Sequence, residues 1–238
     1  MLDPNKYHKF LNTTKDLLKS DVSLSEALKI ARQHNPEAGK VLARHIYTDT
    51  LVPRVGNNYA YNDFLSRHRN SGVHVSMDAN SFGAINKEHG FEHGNEAIKQ
   101  MFNTASDVSR KHGGKLFRVG GDEGRLHFPN EERALGFAQE FKDRLSQNPK
   151  IAGKHQVSVS MGIGHNPEHA EKALLSAKDQ LGPLVEGKRA KIAPPGQEAT
   201  VWHSALHEPK PPNWTPAIQP KLPHEEGQKS VDTGRIKI

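Results

Sequence analysis

The sequence predicts an α+β domain: a palm-like or ferredoxin-like sheet containing antiparallel strands and flanked by helices. A helical N-terminal extension and a Pro-rich C-terminal tail complete the chain. Three observations predict this. Helix-like and strand-like patterns alternate from Ile46 to about residue 192, the order expected of an α+β sheet. At the centre lies Phe117-Arg118-Val119-Gly120-Gly121-Asp122-Glu123-Gly124-Arg125-Leu126-His127-Phe128, two short apolar runs about a glycine turn. Beyond residue 193 the composition changes, with eight of the 15 prolines in the final stretch. The expected units are therefore 1–45, 46–192 and 193–238.

Taken in order, Leu11, Leu17, Leu18, Leu24, Ala27, Leu28, Ile30 and Ala31 recur at helical spacing. Ser23 and Glu26 have the spacing of a capping box. Asn35-Pro36 interrupts this helical segment. Tyr59–Arg67 reads as helix, and Val73–Met77 as a strand with apolar residues at every second position. Glu96–Val108 is an amphipathic helix with Ile98, Met101, Phe102 and Ala105 on one face. In the central hairpin, Gly120-Gly121 is a turn signal because glycine tolerates positive φ and leaves room for close approach. A helix over Glu131–Leu145, a strand over Val157–Gly164 and a helix over Glu168–Gln180 follow. In the tail, repeated proline removes backbone donors and favours extended chain. Trp202 and Trp214, the only tryptophans, are expected to dock there, on the domain itself or on a protein partner.

Composition narrows the chemistry. With no cysteine among 238 residues, disulfides, thiolate catalysis and thiolate metal sites are excluded. The absence fits a cytoplasmic protein. No apolar run has the length of a membrane span, and the N-terminal residues lack a signal-peptide pattern. A net charge of +6 favours anionic partners. The basic residues form no block, so a nucleic-acid partner is not indicated. His89 and His93 have i, i+4 spacing but fall in a segment read as loop, and are taken as surface residues rather than a zinc pair. Arg110, Lys111, Lys115 and Arg118 are read as solvating a helix end and the strand after it.

The strand Val73–Met77 leads into Asp78, and the hairpin carries Asp122 and Glu123 at its tip. An isolated acidic turn is most simply a solvated one. A second carboxylate at the end of a neighbouring strand suits a hard divalent cation, which takes carboxylates together with substrate phosphates.

Six segments resemble, in family order, the GGDEF domain of diguanylate cyclases over roughly residues 46–180. Thr48-Asp49-Thr50-Leu51 resembles the opening "TDxLTGL", although Val52–Asn58 departs from its second half. Asp78-Ala79-Asn80-Ser81-Phe82-Gly83-Ala84-Ile85-Asn86 resembles "DxDxFKxIN". Gly90–Asn95 resembles "GHxxGD", and Arg118–Gly124 resembles "RxGGDEF". Val157–Gly164 and Ala173–Lys178 resemble the "VTxSIGIA" strand and the "ALYxAK" helix.

The resemblance implies roles. Asp78 and Glu123, with the Ala79 carbonyl, would hold Mg²⁺ or Mn²⁺, and Asp122 would join Glu123 as a catalytic and metal-proximal carboxylate. Asn86 and Asn95 would meet the base, and Lys178 the triphosphate. Gly120 and Gly121 would let the nucleotide lie against the hairpin, and the backbone at Phe82 and Gly83 would contact phosphate. Several positions depart from the family pattern. Asn80, Gly83, Lys87, Asn95 and Gly124 replace its Asp, Lys, Asp, Asp and Phe. The arginine after Lys178 is missing, leaving Lys188 or Arg189 as substitutes. Lys111-His112-Gly113-Gly114 lacks the inhibitory "RxxD".

The expected function is a divergent nucleotidyl cyclase. It would condense nucleoside triphosphates, GTP first or an altered base, into a cyclic dinucleotide with release of pyrophosphate, and would act as a homodimer. The alternatives are a degenerate domain serving as nucleotide sensor or scaffold, and a polymerase-like palm.

Overall fold

The computed structural model describes residues 24–34, 36–182, 184–185, 188–189 and 199–217. The cap position Ser23 and the apolar residues before it lie outside these. Two helices open the described chain, α1 (Leu24–His34) and α2 (Pro36–Tyr47). Then come α3 (Asn58–His68), β1 (Val73–Ala79), α4 (Phe82–Lys111), β2 (Lys115–Arg118) and β3 (Glu123–Phe128). They are followed by α5 (Glu131–Ser146), β4 (Val159–Gly164) and α6 (Pro167–Asp179). A short ribbon, β5 (Leu184–Val185) with β6 (Lys188–Arg189), precedes β7 (Val201–Ser204).

The main sheet has five strands in the order β2-β3-β1-β4-β7. Strand β1 runs antiparallel to both neighbours, β3 and β4, while β7 lies parallel to β4. Period-2 alternation sorts β1 between two packed faces. Val73, Val75 and Met77 enter the main core with Met101 and Phe102 of α4 and Phe137 and Phe141 of α5. The opposite face carries Gly162 and Gly164 of β4. A Cβ at Gly162 would stand 2.0 Å from the Leu174 backbone nitrogen, so α6 lies against bare backbone there. Asparagine caps start three helices: Asn57, Asn130 and Asn166 accept from the backbone N–H of Ala60, Arg133 and His169.

Two parts of the architecture differ from the sequence expectation. Residues read as a loop between β1 and Glu96 are helical, because α4 is two helices joined at Gly90. There φ is +84° and ψ is 170°, a geometry open to glycine and strained for other residues. Part of the Pro-rich stretch also enters the sheet as β7. Trp202 packs against the core, and Ala205 is buried. Trp214 docks on its own domain: its indole N–H donates to the Gly72 carbonyl at 2.9 Å, and Lys210 Nζ lies 4.1 Å from its ring centre. The paired strand, Val201–Ser204, contains no proline and so keeps its backbone donors for β4, while Pro195 and Pro209 lie outside it.

The face away from the main core holds a histidine pair. His74 and His127 are cross-strand partners with rings 5.1 Å apart, and His127 Nε2–H donates to the Ser71 carbonyl at 2.7 Å. Burial, then the neighbouring His127, pushes His74 down to about 3, and burial pushes His127 down to about 4. Both rings stay neutral in the folded protein at pH values where the unfolded chain takes up protons. Stability is therefore lost as pH falls below about 6.5, by about 1.4 kcal/mol per pH unit for each ring. Urea midpoints should drop between pH 7 and 5, and His74→Leu should flatten the drop by about half. Equal slopes for the two proteins would refute this origin.

Candidate active site

The backbone register builds the site. Across the β1–β3 ladder Asp78 lies directly opposite Glu123, and across β1–β4 it lies opposite Ser160. Asp122 joins them through the backbone, its carbonyl accepting from the Ala79 N–H at 3.3 Å. On α6, Lys178 Nζ lies 2.9 Å from Asp78 Oδ1. Burial pushes the Asp122 carboxyl above the usual carboxylate range, and the charges of Asp78 and Glu123 push the same way against the pull of Lys178. The sheet thus concentrates negative charge at the end of its central strand.

Arg118 holds the hairpin tip in place. Its guanidinium donates from Nε and Nη2 to the Gly121 carbonyl, at 2.9 and 2.8 Å, and from Nη1 to both Asp49 oxygens at 3.1 Å. Asp49 Oδ1 also accepts from the backbone N–H of Leu51 and Val52. Sequence reasoning treated Arg118 as a solvated cation and gave Asp49 no role. The available signal was that Asp49 and Arg118 each sit inside a family-like segment.

The tip glycines act through space. Neither Gly120 nor Gly121 has positive φ. A Cβ at Gly120 would stand 2.9 Å from Glu123 Oε2, whereas Gly121 opens onto free space. Gly124, in place of the signature phenylalanine, is closed over: a Cβ there would stand 2.3 Å from Met77 Cε and 3.1 Å from a Phe102 ring carbon. Asn80 is buried, with both ends of its amide used. Its Nδ2 donates to Ser158 Oγ at 3.1 Å, and its Oδ1 accepts from Ser160 Oγ at 2.8 Å. The loss of an acid there has become a structural tie below the site.

A second group lies along α4. Phe82 and Gly83 begin the helix after Ser81, a non-glycine residue at φ 53°. Gly83 has open space around its Cα, while the Phe82 ring turns towards Gly94 across the kink. Asn86 packs on Gly94 so closely that a Cβ would meet its Oδ1 at 1.8 Å, and that oxygen is buried without a hydrogen-bond partner. Asn95 is exposed on the second half of the helix. The structure therefore joins Asp78, Asp122, Glu123 and Lys178 in one cluster, with Phe82, Gly83, Asn86 and Asn95 along the helix leaving it. At the position of the inhibitory motif, Lys111 and His112 both engage Glu140, at 2.7 and 2.9 Å.

The fold and this acid-bearing hairpin define a palm-like α+β domain. The family model described as "Diguanylate cyclase, GGDEF domain" matches residues 58–187, and the chain belongs to that family. A comparison with curated proteins gives no match. Among solved structures, the fold is similar to the coiled coil and GGDEF domain of DgcB from Caulobacter crescentus in complex with c-di-GMP. The identity is 19%, covering 66% of this chain and 92% of that one, with a TM-score of 0.53. It is also similar to the diguanylate cyclase SiaD from Pseudomonas aeruginosa, determined with its activator SiaC. There the identity is 19%, covering 74% and 72% of the chains, with a TM-score of 0.52. Among the described residues no helix is long and apolar enough to cross a membrane.

The Asp49–Arg118 pair is well shielded, with side-chain exposures of 11% and 14%. Removing one partner leaves a buried charge, so Arg118→Met should cost about 3 kcal/mol. Urea unfolding measures this, and a loss below about 1 kcal/mol would show that the pair is not what holds the tip.

Proposed function

We propose that the domain is a divergent GGDEF-type cyclase that condenses two nucleoside triphosphates into a cyclic dinucleotide. The observation that carries this reading is the register placing Asp78 opposite Glu123, with the Asp122 carboxyl beside them raised by burial and then by their charges. The donor set is all oxygen and already draws one cation, Lys178, so the residues fit Mg²⁺ or Mn²⁺. Asp78, Glu123 and the Ala79 carbonyl would hold the metal, which would supply charge neutralisation and a more acidic 3′-hydroxyl.

The chain's own residues do the rest. Lys178 turns from Asp78 to the triphosphate, and Gly83 and Gly121 leave the backbone open to phosphate. Asn86 would meet the base edge once its Oδ1 leaves the contact with Gly94, where it has no hydrogen-bond partner to lose. Asp122 is suited to take the proton of the 3′-hydroxyl, because burial raises its carboxyl and a raised carboxylate is a stronger base than an ordinary one. The 3′-oxygen then bonds to the α-phosphorus of the facing nucleotide, and the bond to the β-phosphate oxygen breaks with loss of pyrophosphate. Each domain holds one nucleotide, so turnover requires a homodimer, in keeping with a cytoplasmic signalling protein.

A degenerate nucleotide sensor is the second reading, and exposed Asn95 favours it. Asparagine offers guanine one acceptor and one donor where an aspartate offers two acceptors.

Incubating the purified chain with each nucleoside triphosphate, singly and paired, with Mg²⁺ or Mn²⁺ tests the proposal. A pyrophosphate-releasing cyclic product is expected, reduced at least about a hundredfold in Asp78→Ala and Glu123→Ala. Asn95→Asp should raise the preference for GTP over ATP about tenfold or more. No turnover of any nucleotide, with binding retained by calorimetry, would replace the cyclase with the sensor.

A further inference from the structure

A different set of ligands comes together where α4 bends. Glu88 and His89 end the first half of α4, immediately before Gly90. His155 closes a tight turn before β4, in which Ile151 and His155 exchange backbone hydrogen bonds at 2.8 and 3.0 Å. Sequence spacing paired His89 with His93, but His93 Nδ1 turns to the His89 carbonyl at 2.9 Å. His89 instead meets His155, with ring centres 4.9 Å apart.

One ligand atom from each of Glu88, His89 and His155 lies within 4.8 Å of the others. Glu88 Oε1 is 3.4 Å from His89 Nε2, and Glu88 Oε2 is 3.2 Å from His155 Nε2. A tetrahedral ion with bonds of about 2.0–2.2 Å separates its ligands by roughly 3.3–3.6 Å. Each histidine already lies at about that distance from one Glu88 oxygen, and a turn of this exposed carboxylate brings a single oxygen towards both.

A purely hydrogen-bonded cluster accounts for the group less well. His155 is 4% exposed, and neither of its ring nitrogens has a hydrogen-bond partner. The Nε2 atom of His89 is likewise buried without one. Buried polar atoms are ordinarily satisfied, and both Nε2 atoms face the same carboxylate without hydrogen-bond geometry. The competing cation is Lys154, whose Nζ lies 3.2 Å from Glu88 Oε1. It contacts Oε1 and not the Oε2 that faces His155, and its side chain is 67% exposed and can move into water.

We propose that Glu88, His89 and His155 form a transition-metal site that takes Zn²⁺ with a water as fourth ligand. Two imidazole nitrogens and one carboxylate suit Zn²⁺, whereas Mg²⁺ prefers the all-oxygen group at Asp78. The site stands independently of the cyclase reading. Bound metal would tie the first half of α4 to the turn before β4 and restrain the bend at Gly90. Asn86 and Asn95 lie on opposite sides of that bend, so the site gives a metal ion a route to the spacing of these two residues.

Calorimetric titration of the chelator-stripped full chain with Zn²⁺, in Mg²⁺-free buffer and again with excess Mg²⁺, provides the test. One saturable equivalent is expected in both buffers. Glu88→Gln and His155→Gln should each weaken it more than about a hundredfold, since losing an outer-shell partner alone costs 10–100-fold. His93→Gln should bind as the wild type does. Zn²⁺ should raise the melting temperature of wild type and His93→Gln but not of Glu88→Gln, a surface change that leaves the core intact. Unaltered binding in Glu88→Gln and His155→Gln, displacement by Mg²⁺, or no saturable equivalent would each overturn the site.

Discussion

The structure depends on the register between β1 and β3. Because side chains alternate along a strand, a slip of one residue would carry Val73, Val75 and Met77 out of the core. The same slip would break the opposition of Asp78 and Glu123. Stability and site geometry are thus set by one alignment, and the apolar side of β1 holds the acidic end in place. Like charges facing each other cost free energy on their own. They persist because the core on one face and α6 on the other leave the strands no alternative.

Around that alignment the domain adds local restraints of different kinds. Arg118 ties the hairpin tip to Asp49 by giving Nη1 to the carboxylate and Nε and Nη2 to the Gly121 carbonyl, a spread of donors lysine cannot reproduce. Asn80 ties the end of β1 to Ser158 and Ser160 of the β4 segment by hydrogen bonds alone. Departures from the family pattern therefore divide by physical role. Asn80 and Gly124 are absorbed into packing, where their new partners are visible. Asn95 and Gly83 face open space, and their effect falls on what binds.

The distribution of buried histidine also follows from the sheet. His74 and His127 meet because they are cross-strand partners, and His89 and His155 meet where the end of the first half of α4 comes against the turn before β4. The first pair is shielded and held neutral. The second shares a carboxylate with exposed Lys154 beside it, and is open to an ion from solvent.

The sequence by itself determined the order of β1 to β4 and of the helices at 59–67, 96–108, 131–145 and 168–180, the hairpin, and the acids at its tip, because these depend on short-range periodicity and turn chemistry. The family-like segments made Asp78, Asp122, Glu123 and Lys178 legible as one set, and the structure brings them into one cluster. Only the tertiary structure decided which partners those residues have. Residues 69 positions apart join in the Asp49–Arg118 pair, and no local pattern encodes a contact of that span. The first half of α4 was hidden ahead of Gly90, where the backbone leaves helical geometry and joins it to the second half, whose Glu96–Val108 stretch the periodicity did show. Strand β7 was hidden by the proline-rich chain on either side of it, from Pro195 to Pro209, since its parallel pairing with β4 is fixed by the sheet edge available to it. The meeting of Glu88, His89 and His155 was hidden for the same reason: helix bend and turn are close in space only after the sheet has formed.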